Sequence, residues 1–252
     1  MAVKIKKTEA DAPKTDKVPS GIEGMDELIG GGFERESNTL VMGGPGSGKT
    51  TFLLQYLYNG AVKYGEAGLF LTFEEQKETL YRHMLNYGWD FEKLEAEGKF
   101  GIITYKPHEV KKLFDEGGGM IWDSIHAIDA KRLAVDSLST YTMLFETSYQ
   151  MRESQLLLFE LLRKWHITSL LSGEEKHAGT SRHITEMEFL TDGVIILHHP
   201  RQGNVRVRAA EILKLRGSKH SQKICPFEFI GGKGIKVYPD QNVFGDIKGK
   251  EF

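Results

Sequence analysis

The chain has 252 residues, a formal net charge of −2 and a hydrophobic fraction of 40%, which fits one large domain or two small ones of a globular protein and shows no bulk electrostatic pull toward nucleic acid. The single Cys225 excludes an internal disulfide framework and a cysteine-based metal cluster, and it fits a reducing cytoplasm. No run of about eighteen apolar residues marks a membrane span, and the N-terminal lysines have no apolar stretch behind them that would make a secretory signal.

In chain order, residues 1–17 are polar, charged and broken by proline, the composition of a disordered tail. Gly21 to Ile29 reads as a turn and a short helix, ended by Gly30-Gly31-Gly32-Phe33. Thr39-Leu40-Val41-Met42 reads as a buried strand. A helix follows from Lys49 to Tyr64, capped near Gly65. Gly68 to Phe73 is strand-like, and Gln76 to Tyr87 is helical. Phe100 to Tyr105 is a strand. Glu109 to Asp129 reads as two helical pieces broken at Gly117-Gly118-Gly119. Arg132 to Asp136 is the next strand. From Gln150 to His166 the pattern is amphipathic, with Leu157, Leu158, Leu161, Leu162 and Trp165 on one stripe. Thr168 to Ser172 and Val194 to His198 are two further strands, and from Val205 to Tyr238 strands follow one another without helices, as in an antiparallel ribbon. Alternation of strand and helix predicts an α/β fold, a mostly parallel twisted sheet covered by helices on both faces. We see no internal repeat and no linker, so residues 18–240 are expected to form one domain, with flexible tails at 1–17 and 241–252.

The chemistry concentrates in Gly43-Gly44-Pro45-Gly46-Ser47-Gly48-Lys49-Thr50, which matches G-x-x-x-x-G-K-[ST] at every fixed position and lies between a strand and a helix, the context of a phosphate-binding loop. Its backbone N–H groups and the helix start face the phosphates. Lys49 is placed for the β- and γ-phosphates, and the Thr50 hydroxyl for Mg²⁺. Asp136 ends an apolar strand. Beside a phosphate loop such a carboxylate holds Mg²⁺, directly or through water; alone it would be an acidic residue entering a turn. Glu74-Glu75 closes the strand after the loop helix and supplies carboxylates that can orient or deprotonate a water. Neighbouring strand side chains point to opposite faces, so one reaches the γ-phosphate while the other supports it or caps the next helix; that both are caps is the open alternative. Lys214 and Arg216 lie two apart on one strand face, as solvated edge charges or as a finger toward a phosphate, from the same chain or a neighbour. His198-His199 point opposite ways and cannot chelate one ion together. Tyr56, Tyr58, Tyr64 and Trp89 read as packing rather than base stacking.

Together these features resemble the KaiC branch of the RecA-type ATPases. The resemblance runs from Val18 to Asp240 and rests on Val18-Pro19-Ser20-Gly21-Ile22-Glu23-Gly24-Met25-Asp26-Glu27-Leu28, Leu71-Thr72-Phe73-Glu74-Glu75, Tyr87-Gly88-Trp89-Asp90, Glu211-Ile212-Leu213-Lys214-Leu215-Arg216-Gly217-Ser218 and Pro226-Phe227. It implies a RecA-like core, a hexameric ring with ATP between subunits, ADP as product, Mg²⁺ at Thr50 and Asp136, and a nucleotide loop of Gly44, Pro45, Gly46, Ser47, Gly48, Lys49, Thr50 and Thr51. It makes Glu74 the water-orienting carboxylate, with Glu75 beside it. It places Lys214, Leu215, Arg216, Ser218 and His220 against the nucleotide of the adjacent protomer. Asn86 falls near the adenine, where relatives carry Ser. Relatives often carry Asp in the turn after the Pro-Phe strand, whereas this turn is Gly231-Gly232-Lys233-Gly234, so no acidic contact carries over. Clock-forming members hold two such domains in tandem; a single domain does not support an oscillator role.

The leading expectation is a cytoplasmic, slow, Mg²⁺-dependent ATPase acting as a nucleotide-dependent switch for a protein partner. A RecA/RadA-type DNA recombination accessory is the alternative, with the basic loop of Lys176, His177, Arg182 and His183 as its DNA contact; DNA is not favoured. A non-hydrolysing scaffold similar in fold to the archaellum motor protein FlaH is the third reading, and Glu74-Glu75 argues against it.

Overall fold

The computed structural model describes residues 16–106, 109, 119–143, 145–178, 181–183 and 186–241, with the side chains of 176–178, 181–183, 186 and 202 outside the description. The expected tails at 1–15 and 242–252 and most of the first helical piece after Glu109 lie outside the described residues. Lys17, assigned to the tail by sequence, is instead in a short strand, β1 (Lys17–Val18), paired with β2 (Phe33–Glu34), and its Nζ donates to Gly30 O.

Between them lies α1 (Met25–Leu28), and then comes β3 (Asn38–Gly43), buried at every position. The helix α2 (Lys49–Lys63) stops at Gly65, whose φ of 67° suits glycine. Next come β4 (Gly68–Thr72), α3 (Lys77–Met84), a 3₁₀ turn at Leu85–Tyr87, α4 (Phe91–Ala96) and β5 (Phe100–Thr104). The six-residue α4 is an element the sequence reading passed over; its signal was Asp90, whose carboxylate accepts from Lys93 N at the N-cap. The helix α5 (Gly119–Ala127) is the second of the two expected helical pieces, and it leads to β6 (Arg132–Asp136). The short α6 (Leu138–Thr142) is capped by Ser137, and α7 (Ser148–Lys164) by Thr147. Then follow β7 (Thr168–Glu174), a hairpin of β8 (Lys176–Ala178) and β9 (Ser181–His183) where a loop was expected, and α8 (Glu186–Leu190). The remainder is β10 (Gly193–His198), a small hairpin β11 (Arg201–Gln202) and β12 (Val205–Arg206), and β13 (Ala209–Leu215), β14 (Cys225–Ile230) and β15 (Gly234–Val237).

One nine-stranded sheet runs in the order β15-β14-β13-β10-β3-β7-β6-β4-β5. The six strands from β10 to β5 are parallel, and β13, β14 and β15 add on antiparallel, as the alternation and the helix-free C-terminal stretch predict. Alternating side chains divide the core into two layers. Val41, Phe70, Ala134, Leu170 and Ile195 meet Phe52, Leu53, Tyr56 and Leu57 of α2 on one face. Leu40, Leu71, Val135, Leu171 and Ile196 meet Leu158, Phe159 and Leu162 of α7 on the other. Leu157, assigned to the buried stripe by sequence, is 37% exposed, because the buried face of α7 is centred on Leu158 and Leu162. Tyr56 and Trp89 are buried packing aromatics, as read from the sequence.

The register sets the geometry that matters. Met42 pairs with Gly173 and Ile196, and Thr72 pairs with Asp136. The carboxyl ends of β3, β4, β6, β7 and β10 therefore share one edge, where open α/β sheets hold ligands.

Candidate nucleotide site

The loop between β3 and α2 depends on glycines. Gly46 and Gly48 have φ of 73° and 104°, and a Cβ on Gly48 would come 2.5 Å from Phe229 Cζ. Lys49 opens α2, and its Nζ donates to Gly43 O at 2.8 Å and Gly44 O at 3.2 Å. The ammonium is thereby folded over the loop it belongs to. Ser47 is fully buried, so its side chain lies beneath the loop rather than on its surface.

Thr50, in the first turn of α2, donates from Oγ1 to Asp136 Oδ2 at 2.6 Å. Asp136 ends β6 and also accepts from Ser172 of β7. Burial pushes the Asp136 carboxyl above the ordinary carboxylate range, and the Ser172 and Thr50 hydroxyls pull it partly back. Ser172 was not identified from sequence; only the β6–β7 pairing brings it here. Beyond β4, Thr72 Oγ1 accepts from the backbone N of Glu74 and Glu75. The two carboxylates then part. Glu74 Oε1 accepts from Ser137 Oγ at 2.7 Å and Thr140 Oγ1 at 2.8 Å. Glu75 lines a cleft of about 280 Å³ with Thr50, Thr51, His83, Asn86 and Tyr87. Burial, then the Asp136 and Glu74 charges, raise the Glu75 carboxyl, with His83 opposing them.

Three basic residues that sequence reasoning did not connect with the loop also stand near it. His199 lies beside the loop, its Nδ1 3.9 Å from where a Cβ on Gly46 would sit, and burial and then the Arg208 and Arg206 charges lower its imidazole below the usual range. Arg208 stacks 4.9 Å from the Phe229 ring, the same ring that touches Gly48. Arg206, Arg208 and Phe229 line a cleft of about 440 Å³, and Arg208 Nε is buried without a hydrogen-bond partner among the described residues. The available signal was the opposed orientation of His198 and His199: His198 Nε2 bonds Glu211 at 2.7 Å, leaving His199 for the loop.

Lys214 and Arg216 are elsewhere. β13 runs antiparallel to β10, so Leu215 pairs with Gly193, which pairs with Thr39 at the start of β3. Both cations thus lie at the end of the sheet opposite the loop. Lys214 Nζ donates to Glu188 O and Thr191 O, and Arg216 Nη2 to Phe189 O at 3.1 Å, backbone carbonyls in and just after α8. Burial, then the Arg216 charge, lowers the Lys214 ammonium. Ser218 Oγ donates to Glu34 Oε1 at 2.7 Å, and His220 Nδ1 is 3.1 Å from Ser221 O. Leu215 is a buried core residue. The structure therefore gathers Lys49, Thr50, Asp136, Glu74 and Glu75 at one edge and Lys214, Arg216, Ser218 and His220 away from it.

A mostly parallel sheet with a glycine-lysine-threonine loop after β3 and carboxylates at the ends of β4 and β6 has the architecture of a RecA-like P-loop ATPase. The chain belongs to the KaiC ATPase family, whose sequence profile matches residues 18–242. It is 34% identical over 233 residues to the circadian clock oscillator protein KaiC of Prochlorococcus marinus, covering 89% of this chain and 45% of that one. To the KaiC of Synechococcus elongatus it is 35% identical over 231 residues, covering 88% and 44%. The chain spans about half the length of these relatives. The crystal structure of a KaiC-like protein from the hyperthermophilic archaeon Pyrococcus horikoshii superimposes with a TM-score of 0.78 at 39% identity, over 89% of this chain and all of that one. Among the described residues, no helix is long and apolar enough to cross a membrane.

Proposed function

We propose that residues 18–240 form one ATPase unit that binds ATP with Mg²⁺, hydrolyses it slowly at interfaces between copies in a hexameric ring, and serves as a nucleotide-dependent switch for a protein partner in the cytoplasm. The observation that carries this reading is the 2.6 Å bond between Thr50 Oγ1 and Asp136 Oδ2 beside the phosphate loop. A hydroxyl and a carboxylate are hard oxygen donors of the kind Mg²⁺ takes, and Mg²⁺ keeps phosphate and water in its other positions. The ion would neutralise charge on the β- and γ-phosphates.

The chain's own residues do the rest. Lys49 exchanges the Gly43 and Gly44 carbonyls for phosphate oxygens. Glu74 orients the attacking water and accepts its proton. Arg206 and Arg208 line the flank of the loop, where an anionic nucleotide gains from positive charge. Arg216 and Lys214, at the far end of the sheet, serve the nucleotide of the next copy.

Measured ATP turnover with Mg²⁺ tests the reading. Lys49→Ala should weaken ATP binding about 10- to 100-fold, the range for losing a hydrogen bond to a charged group. Glu74→Gln should keep ATP bound and suppress turnover. Wild-type turnover in both variants removes Lys49 and Glu74 from the hydrolytic site, and ATP binding without turnover in the wild-type protein favours the scaffold. Single-stranded and duplex DNA in the same assay test the recombination alternative: stimulation by either would favour it.

A further inference from the structure

Glu74 lies in the turn after β4, exposed to solvent. A free glutamate there would sample several rotamers. Its backbone is fixed by the bond from Glu74 N to Thr72 Oγ1, and its side chain by two hydroxyls. Ser137 Oγ and Thr140 Oγ1 both donate to one carboxylate oxygen, Oε1, at 2.7 and 2.8 Å. The other oxygen, Oε2, has no hydrogen-bond partner among the described residues. Each hydroxyl has one proton, so both are spent on Glu74, and the 3.2 Å approach of Ser137 Oγ to Thr140 Oγ1 is a consequence of sharing one acceptor. Ser137 has a second duty, accepting from Thr140 N as the cap of α6. The Thr140 hydroxyl has none, and its proton goes to Glu74.

We propose that Thr140 is a positioning residue for hydrolysis: its hydroxyl, with that of Ser137, anchors Glu74 Oε1 and leaves Oε2 directed at the attacking water. This rests on the reading of Glu74 as the water-orienting carboxylate. Because β4 and β6 are neighbours in the sheet, with Thr72 opposite Asp136, the anchor ties the catalytic turn to the strand that carries the metal-site carboxylate. Removal of the Thr140 hydroxyl should therefore lower the turnover number and leave nucleotide affinity alone, since Thr140 has no hydrogen bond to the loop residues or to Thr50.

The test is steady-state ATP turnover and nucleotide titration calorimetry on Thr140→Val, Thr140→Ala and Thr140→Ser, each alone and on Glu74→Gln. Valine and alanine should lower kcat about tenfold, the scale of one hydrogen bond to a charged group, with Kd unchanged. Serine should restore the rate, and on the Glu74→Gln background neither valine nor alanine should cost more. Alanine serves as the second arm if the branched valine lowers the melting temperature. Wild-type kcat in valine and alanine while Glu74→Gln has lost most of its turnover overturns the proposal, as does a further loss of the residual Glu74→Gln rate or a failure of serine to rescue. Wild-type turnover in Glu74→Gln itself would instead show up as failure of the underlying assignment.

Discussion

Arg216→Ala separates a site completed within one chain from a site completed by a neighbour. Arg216 N bonds Asp192 O, and Asp192 N bonds Asn38 O, so Arg216 is level with the first residue of β3. Gly43, where the phosphate loop begins, is five residues further along, or about 17 Å at strand rise. At that distance in water, Coulomb's law gives about 0.2 kcal/mol per phosphate charge, and a Debye length of about 8 Å screens most of it. Within one protomer the substitution should thus change turnover by less than about 1.5-fold, since 1.36 kcal/mol is tenfold. Its structural cost is also small. Arg216 loses a bond to Phe189 O and a 3.6 Å pairing with Asp192 while already half exposed, and exposed pairs contribute about 0–1 kcal/mol. An arginine delivered across an interface, by contrast, is worth about 10³–10⁵ in rate in other NTPases. We expect Arg216→Ala to lose turnover by at least tenfold with an unchanged melting temperature. Mixing it with Glu74→Gln under subunit exchange should restore part of the activity, because some interfaces then pair an intact Glu74 with an intact Arg216. Wild-type turnover in Arg216→Ala, or no recovery in verified mixed rings, refutes the shared-site argument.

Asp136→Asn should trade function for stability. Burial raises the folded carboxyl above its ordinary 3.8, so above pH 3.8 the folded state holds a proton that the unfolded state has lost, and stability falls as pH rises through the window up to the folded value. The amide removes that slope: thermal melts should show less pH dependence and a higher melting temperature at neutral pH, while Mg²⁺-dependent ATP turnover disappears; a lower melting temperature at neutral pH would contradict this. Gly48→Ala should destabilise by about 1–2 kcal/mol from its left-handed backbone alone, and it should weaken ATP binding because the new Cβ displaces Phe229; calorimetry showing wild-type affinity would exclude that coupling.

The parts of the site legible in the sequence are those whose geometry is local. A glycine-rich loop between a strand and a helix specifies its own backbone, and Lys49 and Thr50 follow from it in the next turn. Asp136 and Glu74 could be read because each sits at the end of an apolar run that had to be a central strand. The sequence could not show Ser172, Ser137 or Thr140 in their roles, since each depends on which strands are neighbours, and the order β7-β6-β4 is a tertiary fact. Arg208 and Phe229 are further still from sequence: they reach the loop because the ribbon of β13 and β14 folds back along β10. The misreadings have similar causes. Leu157 was assigned by counting along a stripe whose centre is set by the sheet beneath it. Lys214 and Arg216, by contrast, share one face as the alternation predicts, both reaching carbonyls of residues 188–191.

The direction of β13 is what separates the two halves of the proposed site. Had the chain crossed over to run parallel to β10, Lys214 and Arg216 would have ended beside their own phosphate loop. The antiparallel return carries them instead to the amino-terminal ends of the parallel strands. On the reading proposed here, the loop at one edge and the Lys214 and Arg216 cations at the other, which within the chain bond backbone carbonyls of residues 188–191, would meet only between copies, and the two surfaces are different. Such an association would be heterologous, head to tail, which closes into a ring when the rotation between copies divides a full turn and otherwise extends as a filament. On the reading proposed here, hydrolysis is then coupled to assembly by strand direction alone. No protomer would then hold a complete site, and turnover would require assembled copies.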